Sequence, residues 1–292
     1  VTLPISVVIP YHNGSRFIGE ALATVHAQTL APREIVVVDD GSRPEEASAL
    51  DRAAGGAVVV RLPRNRGVSV ARNVGVAHAR SPWIAFLDCD DLWDPRKLER
   101  QAAVVASHPG CRAVHAGMKA IYPDGREVVR RKEDVSFQDF LVFPCPVFPS
   151  ALLMERQALL ESGLFDPTKR CCEDLDLFMR FCATGGRFHS VPDPLLIRRV
   201  QGDGLSRNVA VFWREADRTY RDFLRVFDDR RGSHATLLEV NVDMGLRALY
   251  ARDFGLLWRI LTRAARPDVS WPRLAARLLG RSRAGRGAAE EK

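Results

Sequence analysis

Short apolar runs alternate with amphipathic stretches over the first hundred residues. Ile5–Ile9 is a β-branched run closed by Pro10, which cannot continue a central ladder. Tyr11-His12-Asn13-Gly14 has turn chemistry, and Ser15 is placed to cap a helix. The apolar positions of that helix, Phe17, Ile18, Ala21, Leu22 and Val25, recur at helical spacing. Pro32 breaks the chain before a second strand, Glu34–Val38, which ends on Asp39-Asp40-Gly41-Ser42. A helix closing at residues 51–56, a third strand at Val58–Val60 and a helix from about Ser69 to His78 follow. Trp83–Leu87 then reads as a buried strand that stops on Asp88-Cys89-Asp90-Asp91.

Strands alternating with helices of ten to fifteen residues imply right-handed crossovers. The expected fold class is therefore α/β, Rossmann-like, with a mainly parallel central sheet flanked by helices. In such sheets ligands lie beyond the carboxyl ends of the strands. Pro10-Tyr11, Asp39-Asp40 and Asp88–Asp91 all stand at strand ends, so one crevice can collect them. No Gly-x-Gly-x-x-Gly follows the first strand and no Gly-x-x-x-x-Gly-Lys occurs, which argues against dinucleotide-binding and P-loop folds. Phosphate contacts are expected instead from Gly67 and the helix start around Arg72 and Asn73.

Three clustered carboxylates repel one another unless a cation sits among them. Oxygen ligands without histidine or thiolate suit Mg²⁺ or Mn²⁺, which would take further ligands from water and a diphosphate. The simpler reading is that Asp90 and Asp91 open a helix with Pro95 in its first turn.

Further along, Pro144–Ser150 is too rich in proline for a central strand and reads as an extended rim. Ala151–Met154 reads as a short core strand and Gly163–Pro167 as a turn. Glu173-Asp174 opens an amphipathic helix with Leu175, Phe178, Met179 and Cys182 on one side. The helix dipole alone explains acids there. Adjacent residues point apart, however, so one of the two can face the crevice while the other caps.

At 292 residues the chain can bury a full core. It has no apolar run of about 18 residues. Six cysteines without metal-ligand spacing imply reduced thiols in a cytoplasmic protein. The net charge of +7 is concentrated late: Arg259, Arg263, Arg266, Arg273, Arg277 and Arg281 meet only Asp268. A helical appendage is expected over residues 208–280, opened by the stripe Phe212, Trp213, Ala216, Tyr220, Phe223, Leu224 and Phe227, with a disordered tail at 281–292. Arginines opposite leucines suit an anionic bilayer surface, so the appendage is expected to hold the protein peripherally on the inner face of the membrane. A solvated basic helix face is the alternative. Nucleic acid is not an expected partner, and nothing fixes the oligomeric state.

Four blocks taken together resemble family 2 glycosyltransferases of the GT-A fold: Ile5–Asn13, Val36–Ser42, Asn65–Asn73 and Phe86–Asp91. The resemblance covers about residues 3–206. It implies a catalytic domain over 1–207, with a nucleotide-sugar half at about 1–100 and an acceptor half at about 101–207. It also implies a donor site at Pro10, Tyr11, Asn13, Asp39, Asp40, Gly67, Arg72, Asn73 and Asp88. Asp90 with Asp88 would hold Mn²⁺ or Mg²⁺, and Glu173-Asp174 matches the family's base motif, with Asp174 acting on the acceptor. The implied activity is inverting transfer from a nucleoside diphosphate sugar, UDP first, to a hydroxyl of a saccharide, lipid-linked or other acceptor in polysaccharide or glycoconjugate synthesis. Two departures stand out. Cysteine occupies the middle of Asp-x-Asp, and Val200 stands where relatives carry a histidine, leaving Arg198, Gln201, Asp203 or His189 to substitute. A nucleotidyltransferase of related fold and a non-catalytic sugar-nucleotide or membrane-binding module are the alternatives.

Overall fold

The computed structural model describes residues 2–140, 147–200 and 209–227. The first half runs β1 (Ile5–Tyr11), α1 (Ser15–His26), β2 (Glu34–Asp39), α2 (Pro44–Ala53), β3 (Val58–Arg61), α3 (Val68–His78) and β4 (Trp83–Phe86). β3, β2, β1 and β4 are adjacent in that order and all parallel. Period-two alternation sorts their side chains. Ile5, Val7, Ile9, Ile35 and Val37 meet Ile18, Leu22 and Val25 of α1 and Leu50 of α2. Val36 and Val38 meet Ala71 of α3 on the opposite face. Each fully buried Val, Leu or Ile is worth about 1.5–3 kcal/mol, so helices cover both faces of the sheet.

The second half runs β5 (Leu92–Trp93), α4 (Lys97–Ser107), β6 (Ala113–Ile121), β7 (Glu127–Arg130), α5 (Phe137–Phe140), a 3₁₀ turn (Pro149–Ala151) and β8 (Leu153–Glu155). It continues with α6 (Arg156–Glu161), α7 (Glu173–Ala183), β9 (His189–Arg199) and α8 (Val209–Phe227). The nine-stranded sheet continues from β4 through β8, β6 and β9 to β5, with β7 beside β6. β8 is antiparallel to β4 and to β6, while β6 and β9 are parallel. β6 and β9 therefore point the same way as β4, and Arg198 and Arg199 reach the same sheet edge as Tyr11, Asp39 and Asp88.

Several local expectations shift. Ser15 does not cap α1; Gly14 holds that position, and the Ser15 amide donates to the Glu46 carboxylate at 3.0 Å. Residues 149–151 coil into the 3₁₀ turn, so the strand expected from Ala151 starts at Leu153. Asp90 and Asp91 open no helix; β5 follows them directly, and α4 begins at Lys97.

Trp213, Ala216, Tyr220 and Phe223 of α8 are buried. The Tyr220 hydroxyl donates to the Phe140 carbonyl at 2.9 Å, and Phe223 lies against Phe137. Residues 228–292, with the basic helices and tail expected there, lie outside the described residues, as does 141–146.

Gly75 of α3 rides directly on β1: a Cβ there would come 2.2 Å from Val8 Cγ1. Valine is stiff at χ1 and cannot swing away cheaply. Gly75→Ala is therefore expected to destabilise, since crowding of about 1–3 kcal/mol exceeds the roughly 1 kcal/mol alanine gains in a helix. Urea denaturation reads the sign.

Candidate active site at the carboxyl edge of the sheet

The acidic turn leaves β4 through Leu87, whose amide still donates to the Val8 carbonyl. The Asp88 amide donates to Ser150 Oγ at 3.0 Å, and the Asp91 amide closes back on the Asp88 carbonyl at 3.0 Å. Asp88 and Asp90 keep partial exposure, whereas Asp91 is buried. Burial, then the neighbouring Asp88, raises the Asp90 carboxyl above its usual range. Burial, then Asp88 and Asp90, pushes Asp91 up to about 8, opposed by a hydrogen bond from Ser150. Arg199 Nε donates to the Asp90 carbonyl at 2.6 Å, and Arg198 adds positive charge nearby. Cys89 turns inward, and burial followed by Asp90 pushes its thiol up to about 12.

A patch of raised carboxyls is short of positive charge, and hard oxygen donors suit a divalent ion. Among the described residues no three His, Cys, Asp or Glu side chains converge as a complete metal cage. Asp88 and Asp90 offer oxygen donors alone, and an ion between them would take its remaining ligands from a bound diphosphate and water. Position 200 adds nothing to that set: Val200 packs against the core and continues the ladder through its amide to Ile121 O. His189 begins β9, ten residues before Arg199. At about 3.3 Å per residue that is the far end of the strand, where it meets Asp134 at 3.3 Å and stacks on His108. Gln201 and Asp203 lie outside the described residues.

Arg72 of α3 is 3% exposed and joins two parts of the site. One terminal nitrogen donates to Asp88 Oδ1 and the other to Glu173 Oε1, both at 2.7 Å. Burial works against its charge, but Asp88 and Glu173 more than offset that, so it stays a guanidinium. Asp174 follows on α7, partly exposed, with Oδ1 accepting from the Leu175 amide at 2.8 Å. Burial, then Glu173, raises its carboxyl to about 7, with Arg72 pulling the other way. Glu173 is tied into the bridge and Asp174 is not, and neither caps α7, where Cys172 holds the cap position without a side-chain hydrogen bond.

The other expected donor residues are placed less uniformly. Asn73 points elsewhere: its amide donates to Phe165 O at 2.7 Å and accepts from Phe165 N at 3.0 Å, clamping the turn before α7. Asp40 accepts from the Arg66 and Gly67 amides, both at 2.7 Å. The carboxylate of Asp40 thus already occupies the amides at the start of α3 where a phosphate was expected. Asp39 Oδ1 accepts from the Ser42 amide at 3.0 Å, and its other oxygen lies 3.8 Å from Arg61 Nε. Pro10 and Tyr11 are buried, and the Tyr11 hydroxyl donates to Glu46 O at 2.9 Å. Burial raises that phenol, so it stays neutral. Asn13 is exposed; its amide donates to Ser42 Oγ and its side-chain oxygen accepts from the Arg43 amide. Gly41, at φ 65°, lets the chain pass: a Cβ there would stand 2.3 Å from the Arg64 carbonyl carbon. The sequence singled out neither Ser150, Trp93 nor Glu46, because each acts through a partner distant in the chain.

A parallel α/β half ending in clustered acids, joined across one edge to a helix that opens on Glu173 and Asp174, has the architecture of the GT-A fold. The family model "Glycosyl transferase family 2" matches residues 6–158, and the chain belongs to that family. It is 30% identical over 222 residues to the succinoglycan biosynthesis protein ExoU of Rhizobium meliloti, covering 69% of this chain and 64% of that one. It is 27% identical over 191 residues, 61% of this chain, to an uncharacterised glycosyltransferase of Rickettsia prowazekii, and it spans 58% of that protein's length. Among solved structures, TarS of S. aureus in complex with UDP-GlcNAc aligns with a TM-score of 0.65 at 20% identity, over 82% of this chain and 71% of that one. A mannosyltransferase of Pyrobaculum calidifontis in complex with GDP-Man and Mn²⁺ aligns at 0.63 and 20%, over 97% and 81%. At that identity the likeness is one of fold.

Removing the Arg72 bridge leaves two carboxylates without their cation. Arg72→Met is expected to cost about 3 kcal/mol. Urea denaturation of the variant against wild type checks this.

Proposed function

We propose that this chain transfers a sugar, with inversion, from a nucleoside diphosphate sugar to an acceptor hydroxyl. The observation that carries the reading is the Asp88–Arg72–Glu173 bridge, which sets a carboxyl raised to about 7, Asp174, beside the acidic turn. Asp88 and Asp90 are the residues that would hold a divalent ion, and the ion, when bound, offsets charge on the departing diphosphate. Mn²⁺ or Mg²⁺ suits their oxygens, and the Mn²⁺ complex of the Pyrobaculum mannosyltransferase supports that choice. Asp39, at the end of β2, is assigned to the base, and Asp88 to the ribose. Uridine is the first choice of base because the S. aureus relative is complexed with UDP-GlcNAc, with guanosine second.

The acceptor hydroxyl attacks the anomeric carbon as the bond to the diphosphate oxygen breaks. Asp174 takes the hydroxyl proton, and the electron pair of the broken bond leaves with the diphosphate. The attack comes from the face opposite the leaving group, so configuration inverts. Glu173 holds Arg72, and Arg72 holds Asp88; both act by position. Polysaccharide synthesis is the favoured setting, in line with the relative named for succinoglycan biosynthesis. Among the described residues no helix is long and apolar enough to cross a membrane. A peripheral attachment would rest on the basic stretch beyond residue 227.

Asp90→Asn is expected to abolish the Mn²⁺-dependent part of nucleoside diphosphate binding while leaving the fold intact. Calorimetry with and without Mn²⁺ checks it, and equal wild-type binding in both conditions removes the metal assignment.

Asp174 works only when ionised, so transfer should fall about tenfold per unit as pH drops below about 7. Asp174→Asn should lose about 10²–10⁴ in rate with unchanged donor affinity. Its folded carboxyl is raised above the unfolded value of about 3.9, so the native state holds the extra proton and stability declines as pH rises between about 4 and 7. Asp174→Asn should accordingly melt higher than wild type at pH 8. Normal transfer by this variant would place the base elsewhere.

A further inference from the structure

Behind the acidic turn lies a buried polar chain that the proposed chemistry does not use. Ser150, 2% exposed, sits in the 3₁₀ turn Pro149–Ala151. Its Oγ accepts the Asp88 amide at 3.0 Å. Its carbonyl accepts Trp93 Nε1 at 2.7 Å. One residue therefore holds the acidic segment at its entry, Asp88, and again at Trp93, two residues past its end.

Ser150 is itself anchored. Gln101 Nε2 donates to Ala151 O at 2.9 Å and to Val114 O at 3.0 Å, and Gln101 Oε1 accepts from Lys97 Nζ at 2.9 Å. Lys97 Nζ lies 4.0 Å from the centre of the Trp93 ring, and the side chain is fully buried. Burying such groups costs free energy even when they are satisfied, and apolar replacements are often as stable. What a satisfied network supplies is one fixed geometry. The acidic turn needs that: the carboxylates of Asp88 and Asp90 repel and would spread without restraint. Arg72 restrains the Asp88 side chain from one side, and Ser150 restrains the backbone from the other.

We propose that Ser150, braced by Trp93 and Gln101, is a positioning residue that presets the spacing of Asp88 and Asp90 for a divalent cation and a nucleoside diphosphate. The inference rests on the reading of that pair as the diphosphate–metal site.

The test uses the full chain, with Mn²⁺ binding followed by electron paramagnetic resonance and UDP and GDP binding by calorimetry in Mn²⁺. Ser150→Ala should weaken Mn²⁺-dependent nucleotide binding roughly tenfold, and Ser150→Thr, which keeps the hydroxyl, should restore most of it. Binding of the free base, uracil or guanine, should not change, since the base is assigned to Asp39 and does not reach Asp88 or Asp90. A lowered melting temperature with unchanged nucleotide affinity makes Ser150 merely structural and overturns the proposal. Should Ser150→Ala fail to fold, Trp93→Phe keeps the ring and removes the donor to Ser150; about threefold weaker binding supports the proposal, and unchanged binding overturns it. Absence of Mn²⁺-dependent binding of both nucleotides by wild type removes the metal reading itself, whereas wild-type binding matched by the variants removes Ser150 alone.

Discussion

The guanidinium of Arg72 lies between Asp88, at the end of β4, and Glu173, at the start of α7, and the rest of the site takes its position from that contact. A buried cation is costly to desolvate, and two carboxylates at 2.7 Å are what makes it tolerable. The contact also fixes distance: α7 cannot move away from the sheet edge without exposing one acid and stranding the other. Asn73, one residue further along α3, ties Phe165 down by two hydrogen bonds. Consecutive residues of one helix thus hold both the acids and the chain that delivers Asp174.

This arrangement explains how two adjacent carboxyls near one guanidinium come to be held differently. Glu173 is consumed by the bridge. Asp174 feels the same burial and the charge of Glu173, but receives only a distant share of Arg72 and rises to about 7. A single positive charge placed off-centre separates an acid held in an ion pair from one whose carboxyl is raised.

Much of the frame was legible in the sequence. Apolar runs that stop on Pro10, Asp39 and Asp88 mark strand ends, and parallel strands bring such ends to one edge. The helix carrying Glu173 and Asp174 was readable from its apolar spacing. Less legible were residues whose partners come from distant chain. Asp40 reads as a ligand-facing acid because it ends a strand, yet the Arg66 and Gly67 amides claim it. Asn73 reads as polar and available at a helix start, and only the path of Phe165 shows otherwise. Ser150 carries no periodic signal, because a 3₁₀ turn after proline has none. The antiparallel β8 was too short to reveal its direction, and that direction is what brings Ser150 to the acids.

Cysteine in the middle of Asp-x-Asp looks at first like a matter of metal chemistry, but its thiol points away from the acids and toward α1. A Cβ on Gly14 would come 2.9 Å from Cys89 Sγ. Positions 14 and 89 therefore share one fixed volume. Alanine at 89 would remove the nearest atom to a side chain at 14, leaving the Tyr11 ring at 3.3 Å, and a bulkier residue at 89 would push on the first turn of α1. The middle letter of the acidic motif is set by how closely a helix approaches a turn, and the carboxylates on either side are indifferent to it.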